Sequence, residues 1–298
     1  MKSKSLIMLL AVAAFVCGLF VVSAQEPDDE IRGAFLSSRP KTTNSNATRG
    51  RRPPRNSNSN ASSNTAANTN TGKTANANIT SNRNSNGPSQ AIGLGYTLFM
   101  RDPNGRSVRV EPAHEFHNGD RVRISLEPNV DGYLYVFHTE GDGPPEMIYP
   151  DRRLDAGENW IEAHVPLEVP SSEESDQRFH WFVFDANPAN ERLYIVVTRE
   201  PLNSVPTGAE LVSLCLANKD KCPWHPSMEV WARIQDATKA EVKVVTSKTF
   251  GQSQTEGEKV ATTRGLGLDK SAPEPSVIRM NAATNTPVLV TVLDLIHK

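Results

Sequence analysis

Signatures that would announce a reaction are missing from this 298-residue chain. It has no GxSxG turn to expose a serine nucleophile, no GxxxxGKS loop to cradle a phosphate, no kinase motif set and no GxGxxG fingerprint. Cysteine is scarce: Cys17 falls in an apolar run, which leaves Cys215 and Cys222. Two thiols with His225 nearby fall short of a four-ligand zinc site, and their spacing is not the CxxC of a redox pair. In an oxidising compartment they pair as a structural disulfide across Leu216 to Lys221. Aromatic residues make up only 6% of the chain, so Tyr133, Tyr135, Trp160, Trp181, Tyr194 and Trp224 are assigned to strand cores before a ligand platform. A second long apolar run is also lacking, and nothing after Val22 could span a bilayer.

What the chain does have begins with Lys2 and Lys4, an apolar run from Leu6 to Val22, and Val22-Ser23-Ala24 before Gln25. This is the pattern of a secretory signal peptide over residues 1–24, with an uncleaved anchor as the alternative. Export to the periplasm or the extracellular space is therefore expected. Residues 25–90 read as a disordered linker: an acidic patch at Glu26, Asp28, Asp29 and Glu30, then an Asn/Ser/Thr-rich tract in which Ile79 is the one large aliphatic residue. That tract, 41–90, carries seven Lys and Arg and no Asp or Glu, which leaves a formal charge of −9 on residues 91–298. Its charges read as those of a solvated spacer, with a tether to anionic envelope components as the alternative.

Residues 91–298 show short strands with turn signals every ten residues or so, the pattern of a mainly β, sandwich-like antiparallel domain. Gly95–Met100 and Ser107–Val110 form a hairpin across Asn104-Gly105. Gly119–Gly141 reads as a central hairpin. In its first strand Val122, Ile124 and Leu126 alternate with Arg121, Arg123, Ser125 and Glu127, one face in the core and one in water. Its second strand, Tyr133–Phe137, is apolar on both faces and needs cover on both sides. Short strands or edges follow at 147–149, 159–163, 165–169, 179–185 and 192–198. A helical insertion over 207–237 holds two helices, with Thr207 and Ser227 as caps. A strand at 241–246, a long loop at 247–286 with one short strand at 277–280, and a closing strand at 288–296 beside an early one complete the reading.

The runs GYTLFMRDPNG, GDRVRISLEPNVDGYLYVFHTEG, MIYP, NERLYIVVTREPL and LVTVLDLIHK together resemble the bacterial domain of unknown function (DUF) family 4384 over most of residues 92–202. The resemblance implies a β-sandwich-like module of exported or multidomain proteins, with no established activity and no catalytic residues to carry over. The insertion with Cys215 and Cys222 and the loop after Ser247 depart from the compact pattern.

Candidate chemistry is thin. His114 and His117 lie three apart in a strand-like region, so they point to opposite faces and lack the helical HExxH geometry; they read as a polar turn. Glu140, Asp142, Glu146, Asp151 and Asp155 form the one acidic stretch that could serve as a ligand or cation loop, although no EF-hand spacing is present. No cofactor is implied. The expected function is an exported non-catalytic module that contacts a protein or an envelope polymer, with no nucleic acid as partner and no transmembrane span in the mature chain. The alternatives are an envelope hydrolase with dispersed residues near 140–155 and a structural scaffold subunit.

Overall fold

The computed structural model describes residues 27–40, 90–219 and 222–298. The segment expected to be a signal peptide (1–24) and most of the expected linker lie outside these residues. In chain order the helix α1 (Pro27–Ser37) is followed by β1 (Gly93–Arg101), β2 (Ser107–Val110), β3 (Glu115–Phe116), β4 (Arg121–Pro128) and β5 (Gly132–Glu140). Next come β6 (Glu146–Tyr149), β7 (Trp160–Ile161), β8 (Leu167–Val169), β9 (Phe182–Val183) and β10 (Asn190–Thr198). The remainder is α2 (Gly208–Ala217), α3 (Met228–Ala237), β11 (Val242–Thr246), α4 (Glu256–Thr263), β12 (Val277–Asn281) and β13 (Val288–His297). Among the described residues no helix is long and apolar enough to cross a membrane.

The strands form two sheets, as the turn-punctuated pattern predicts. One has the order β11-β12-β1-β4-β8, with β2 added on β1 and β9 on β4. The other has the order β3-β13-β10-β5-β6, with β7 added on β5. Every pairing is antiparallel except that of β13 with β3. Between the sheets lies one apolar core, to which β1 gives Leu94, Tyr96 and Leu98, β4 gives Val122, Ile124 and Leu126, and β10 gives Leu193, Ile195 and Val197. Burial of each such aliphatic side chain contributes about 1.5–3 kcal/mol.

The Gly119–Gly141 stretch is the first correction. Its two strands are not a hairpin: β4 pairs with β1, β8 and β9, whereas β5 pairs with β10, β6 and β7 in the opposite sheet. The link between them is therefore an arch across the core. Asn129 fixes it, since its Oδ1 accepts from the Gly93 amide at 2.6 Å and its Nδ2 donates to the Ala91 carbonyl at 3.0 Å. Those bonds tie the end of β4 to the start of β1 and free the chain to leave the sheet at Asp131-Gly132. The two-sided apolarity of β5 is met as expected: Leu134 and Val136 face the inter-sheet core, and Tyr135 and Phe137 pack beneath α2 and α3 with Leu211, Cys215, Val230 and Ile234.

Three further differences matter. Residues 27–40, assigned to the linker by composition, form α1 and its tail. Ile31 and Phe35 bury against Val245 and Ile278, so two apolar side chains in an otherwise polar stretch anchor the segment on β11 and β12. The 247–286 loop contains α4, started by a capping box in which Thr255 and Glu258 each bond the other's backbone amide. Two charged residues on the polar face of β4 are not in water: Arg123 and Glu127 are buried, Arg123 paired with Glu168 of β8 and Glu127 with Arg39 from the tail of α1, while Gln254 just before α4 bonds Glu168 as well. The closing strand β13 does reach an early element, β3, but its long partner is β10.

In the helical insertion Ser227 caps α3, its hydroxyl accepting from the Val230 amide at 3.3 Å. Thr207 sits at the N-cap of α2 without a side-chain cap bond. Cys215 and Cys222 are joined in a disulfide, with Cα atoms 5.6 Å apart.

Candidate functional site

Two places in the fold gather chemistry, and they differ in kind. The first is a cleft of about 630 Å³ where edge strand β6 of one sheet approaches β8 and β9 of the other. Tyr149, Leu154, Val169, Phe179, Trp181 and Phe182 line it from the sheets and their loops, and Leu211, the disulfide and Trp224 from the helical insertion. The volume falls within the range of ligand clefts, and mixed apolar walls with a few polar groups are their usual lining. The insertion is fastened to β6 by the Met147 amide, which donates to the Trp224 carbonyl at 2.7 Å. Since Cys222 immediately precedes Pro223-Trp224, the disulfide ties α2 to the segment that β6 holds.

Charge around the cleft is sorted. Arg153 lies 4.1 Å over the Phe179 ring and is tied to Asp151 and Glu174. Arg123 lies 4.1 Å over the Trp181 ring and bonds Glu168 at 2.8 Å. Burial pushes the Tyr149 phenol well up, so it remains a neutral donor across the physiological range. Arg152 and Lys219 also line the cleft, are exposed, and have no ion-pair partner among the described residues.

The second place is the buried outer face of β1, β2, β4 and β8. Here Arg109 pairs with Glu258 and Thr97, Arg123 with Glu168, and Gln254 with Glu168. Beside them Arg39 grips Glu127 with two bonds, Nε to Oε1 at 2.8 Å and Nη2 to Oε2 at 2.7 Å. His164 Nδ1 is 2.7 Å from Glu127 Oε1, and Ser38 Oγ is 2.8 Å from His164 Nε2. These are the distances of a serine–histidine–acid relay, and His164 holds a left-handed backbone (φ 57) of the kind that collects at functional sites.

The surroundings give the relay a different use. Burial pushes the Glu127 carboxyl up, but the bonds from His164 and Arg39 more than reverse this, leaving it below the usual carboxylate range. The negative charge that would stabilise an imidazolium is already shared with a guanidinium. The Ser38 hydroxyl has one proton and a second acceptor, the Phe35 carbonyl at 2.7 Å, at the C-terminal end of α1. The cavity beside Glu127 holds about 20 Å³, room for a water but not for a substrate. The group fits a clasp that fastens α1 to the sheet.

The five acidic residues singled out in the sequence are not brought together. Glu140 is exposed at the end of β5 and Asp142 on the turn after it, Asp151 is tied to Arg153, and Asp155 is exposed on a single 3-10 turn. Glu146 bonds His138 Nδ1 at 3.3 Å, and the other ring nitrogen bonds Glu191. Among the described residues no group of three or more His, Cys, Asp or Glu is placed to hold a metal ion. His114 packs edge-on against Phe116, and the His117 amide donates to Asp120 in a turn. Of the six aromatic residues, Tyr135 and Tyr194 are core and Tyr133 packs edge-on against Trp160, while Trp181 and Trp224 reach the cleft.

His138 has a pH consequence. Burial pulls its pKa down, and Glu146 and Glu191 outweigh that, so the folded value is raised. A raised histidine contributes stability that is complete below the unfolded value of about 6.5 and fades as pH rises through the folded value. Glu146, whose pKa His138 lowers, loses its share as pH falls through its own depressed value. Urea midpoints measured from about pH 5 to about pH 9 should fall on the alkaline side for the native chain and flatten for His138→Gln. Equal alkaline slopes would refute the assignment.

Comparison with known proteins bears on the same region. Residues 115–201 match the family described as Domain of unknown function (DUF4384). The resemblance read from the strand motifs is thereby upheld over a narrower span than 92–202. No curated protein and no solved structure matches. The DUF4384 segment runs from β3 to just past β10 and contributes to both sheets, but β1, β12 and β13 lie outside it. It supplies the β6, β8 and β9 walls of the cleft, and the helical insertion beyond it supplies the remaining wall.

The clasp and the buried pairs escaped sequence reasoning because their partners are far apart: Arg39 and Glu127, Arg109 and Glu258. One local signal was present, the Thr255-x-x-Glu258 capping box, which marks α4 and so the cover over β4.

Proposed function

We propose that this protein is an exported, non-catalytic binding module whose cleft between β6, β8, β9 and the helical insertion holds a segment of a protein or of an envelope polymer. The observation that carries the reading is the cleft's composition: apolar and aromatic walls, with the cations its own structure needs already paired and two left over. The signal pattern at residues 1–24 supports export, and the relay-like group at Ser38 is accounted for as a fastening.

Ligand segments that enter the cleft should shift the emission of Trp181 and Trp224. Phe179→Ser, which removes a half-exposed wall, should weaken that response by roughly tenfold, with little change in the urea midpoint. A fluorophosphonate probe should leave Ser38 unlabelled in intact-protein mass spectra. Ligand binding indifferent to Phe179→Ser, or a labelled Ser38 that His164→Ala protects, would sink the reading.

A further inference from the structure

Resting on the binding reading above, we infer that the cleft is selective for an acidic peptide: an extended segment whose apolar side chains enter the cleft while its carboxylates meet Arg152 and Lys219. The walls set the first half of this. Leu154 and Trp224 are half-buried apolar surfaces backed by the buried Val169 and Leu211, and Phe179, which also lines the cleft, is 43% exposed. Covering that ring with an apolar side chain of a ligand would remove both from water, which is favourable.

Charge sets the second half. Around the cleft Arg153 is held by Asp151 and Glu174, and Arg123 by Glu168, so these guanidiniums serve the fold. Arg152 and Lys219 have no such partner among the described residues and stand at the same cleft. Residues 91–298 carry a formal charge of −9, so the β domain taken alone repels anions. An anionic ligand is therefore drawn by this local pair and not by a general field. A guanidinium takes a carboxylate through two parallel bonds, which favours Glu and Asp side chains as partners.

The aromatic rings argue against sugar. Carbohydrate stacking needs open ring faces, and the rings of Phe179 and Trp181 each have a guanidinium seated 4.1 Å from the centroid on one face. Apolar side chains need no particular ring face. At the insertion wall, the Trp224 carbonyl is already used by the Met147 amide, so affinity comes from side-chain burial and charge and not from adding a strand to β6.

The test is fluorescence anisotropy of the full chain with three labelled peptides of about eight residues, in which Leu and Phe alternate with Glu, with Gln or with Lys. The Glu peptide should bind at least roughly tenfold more tightly than the Gln peptide, weaken with added salt, and outcompete the Lys peptide. The double variant Arg152→Glu with Lys219→Glu changes two exposed side chains and should reverse the order of the Glu and Lys peptides. Equal binding of Glu and Gln peptides overturns the acidic selectivity and leaves the cleft a binding site. Binding of a chitin oligosaccharide with none of the peptides overturns the peptide assignment. No change in anisotropy or in tryptophan emission with any probe overturns this inference and the function proposed above together.

Discussion

Arg39→Ala is expected to lower the unfolding free energy by about 3–5 kcal/mol, the range for removing one member of a buried ion pair. The side chain is fully enclosed, and it gives five hydrogen bonds: two to Glu127 and three to the carbonyls of Asp269, Ala272 and Pro273. Truncation leaves a buried carboxylate with His164 as its remaining side-chain partner, and three carbonyls lose a donor. The pairing of Arg39 with Glu127 is not what makes the fold stable relative to an apolar alternative, because desolvating both charges offsets most of their attraction. The large cost belongs to the unpaired state. The double variant Arg39→Met with Glu127→Gln should therefore recover part of the loss. Urea unfolding followed by tryptophan fluorescence measures both, and a loss for Arg39→Ala below about 0.5 kcal/mol would show that residues 27–40 do not belong to the fold. The acid side carries the same signature. Glu127 has a depressed folded pKa, so its contribution is present above the unfolded carboxylate value and is lost as pH falls through the folded one.

Gly132→Ala should be comparably damaging, by about 3 kcal/mol or more. A Cβ at this position would stand 2.1 Å from the Thr198 carbonyl oxygen and 3.1 Å from its carbon. Both are backbone atoms of β10, which β5 pairs with along its length, so neither strand can move aside without breaking the ladder. The position is where the chain leaves the arch and enters the second sheet, and only a residue without a side chain lets the strands close there. Thermal unfolding of the variant should begin well below that of the native chain. An unchanged midpoint would mean that the β4–β5 link is not held against β10 as described.

The reading from sequence succeeded where the determinants are local. Period-two alternation located β4, Asn104-Gly105 located the β1–β2 turn, Ser227 marked the start of α3, and two cysteines in an exported-looking chain pointed to their disulfide. It failed where the determinant is a partner elsewhere in the chain. Arg123 and Glu127 alternate with apolar residues just as solvent-facing side chains do, and nothing near them reveals that Glu168, Arg39 and His164 arrive to neutralise them. Adjacent strands usually pair, so a turn-rich link between β4 and β5 reads as a hairpin even though the chain crosses to the other sheet. The cleft was legible only in pieces. Trp181 and Trp224 stand out as aromatics, Cys215 and Cys222 as a staple and Asp151 as an acid, but the cleft they line is assembled from the middle of the family-matched segment and the insertion after it.

The pairing of Gly93 with Met280 and of Glu115 with Ile296 has a kinetic side. Each sheet joins strands from near the beginning and the very end of the β domain, so loop-closure entropy must be overcome across most of its length before either sheet is complete. The two sheets are accordingly expected to close late in folding, once β12 and β13 have come back to β1 and β3. A fragment cut to residues 115–201 would lack β1, β12 and β13, and would present β4 and β10 as bare edges prone to associate with one another.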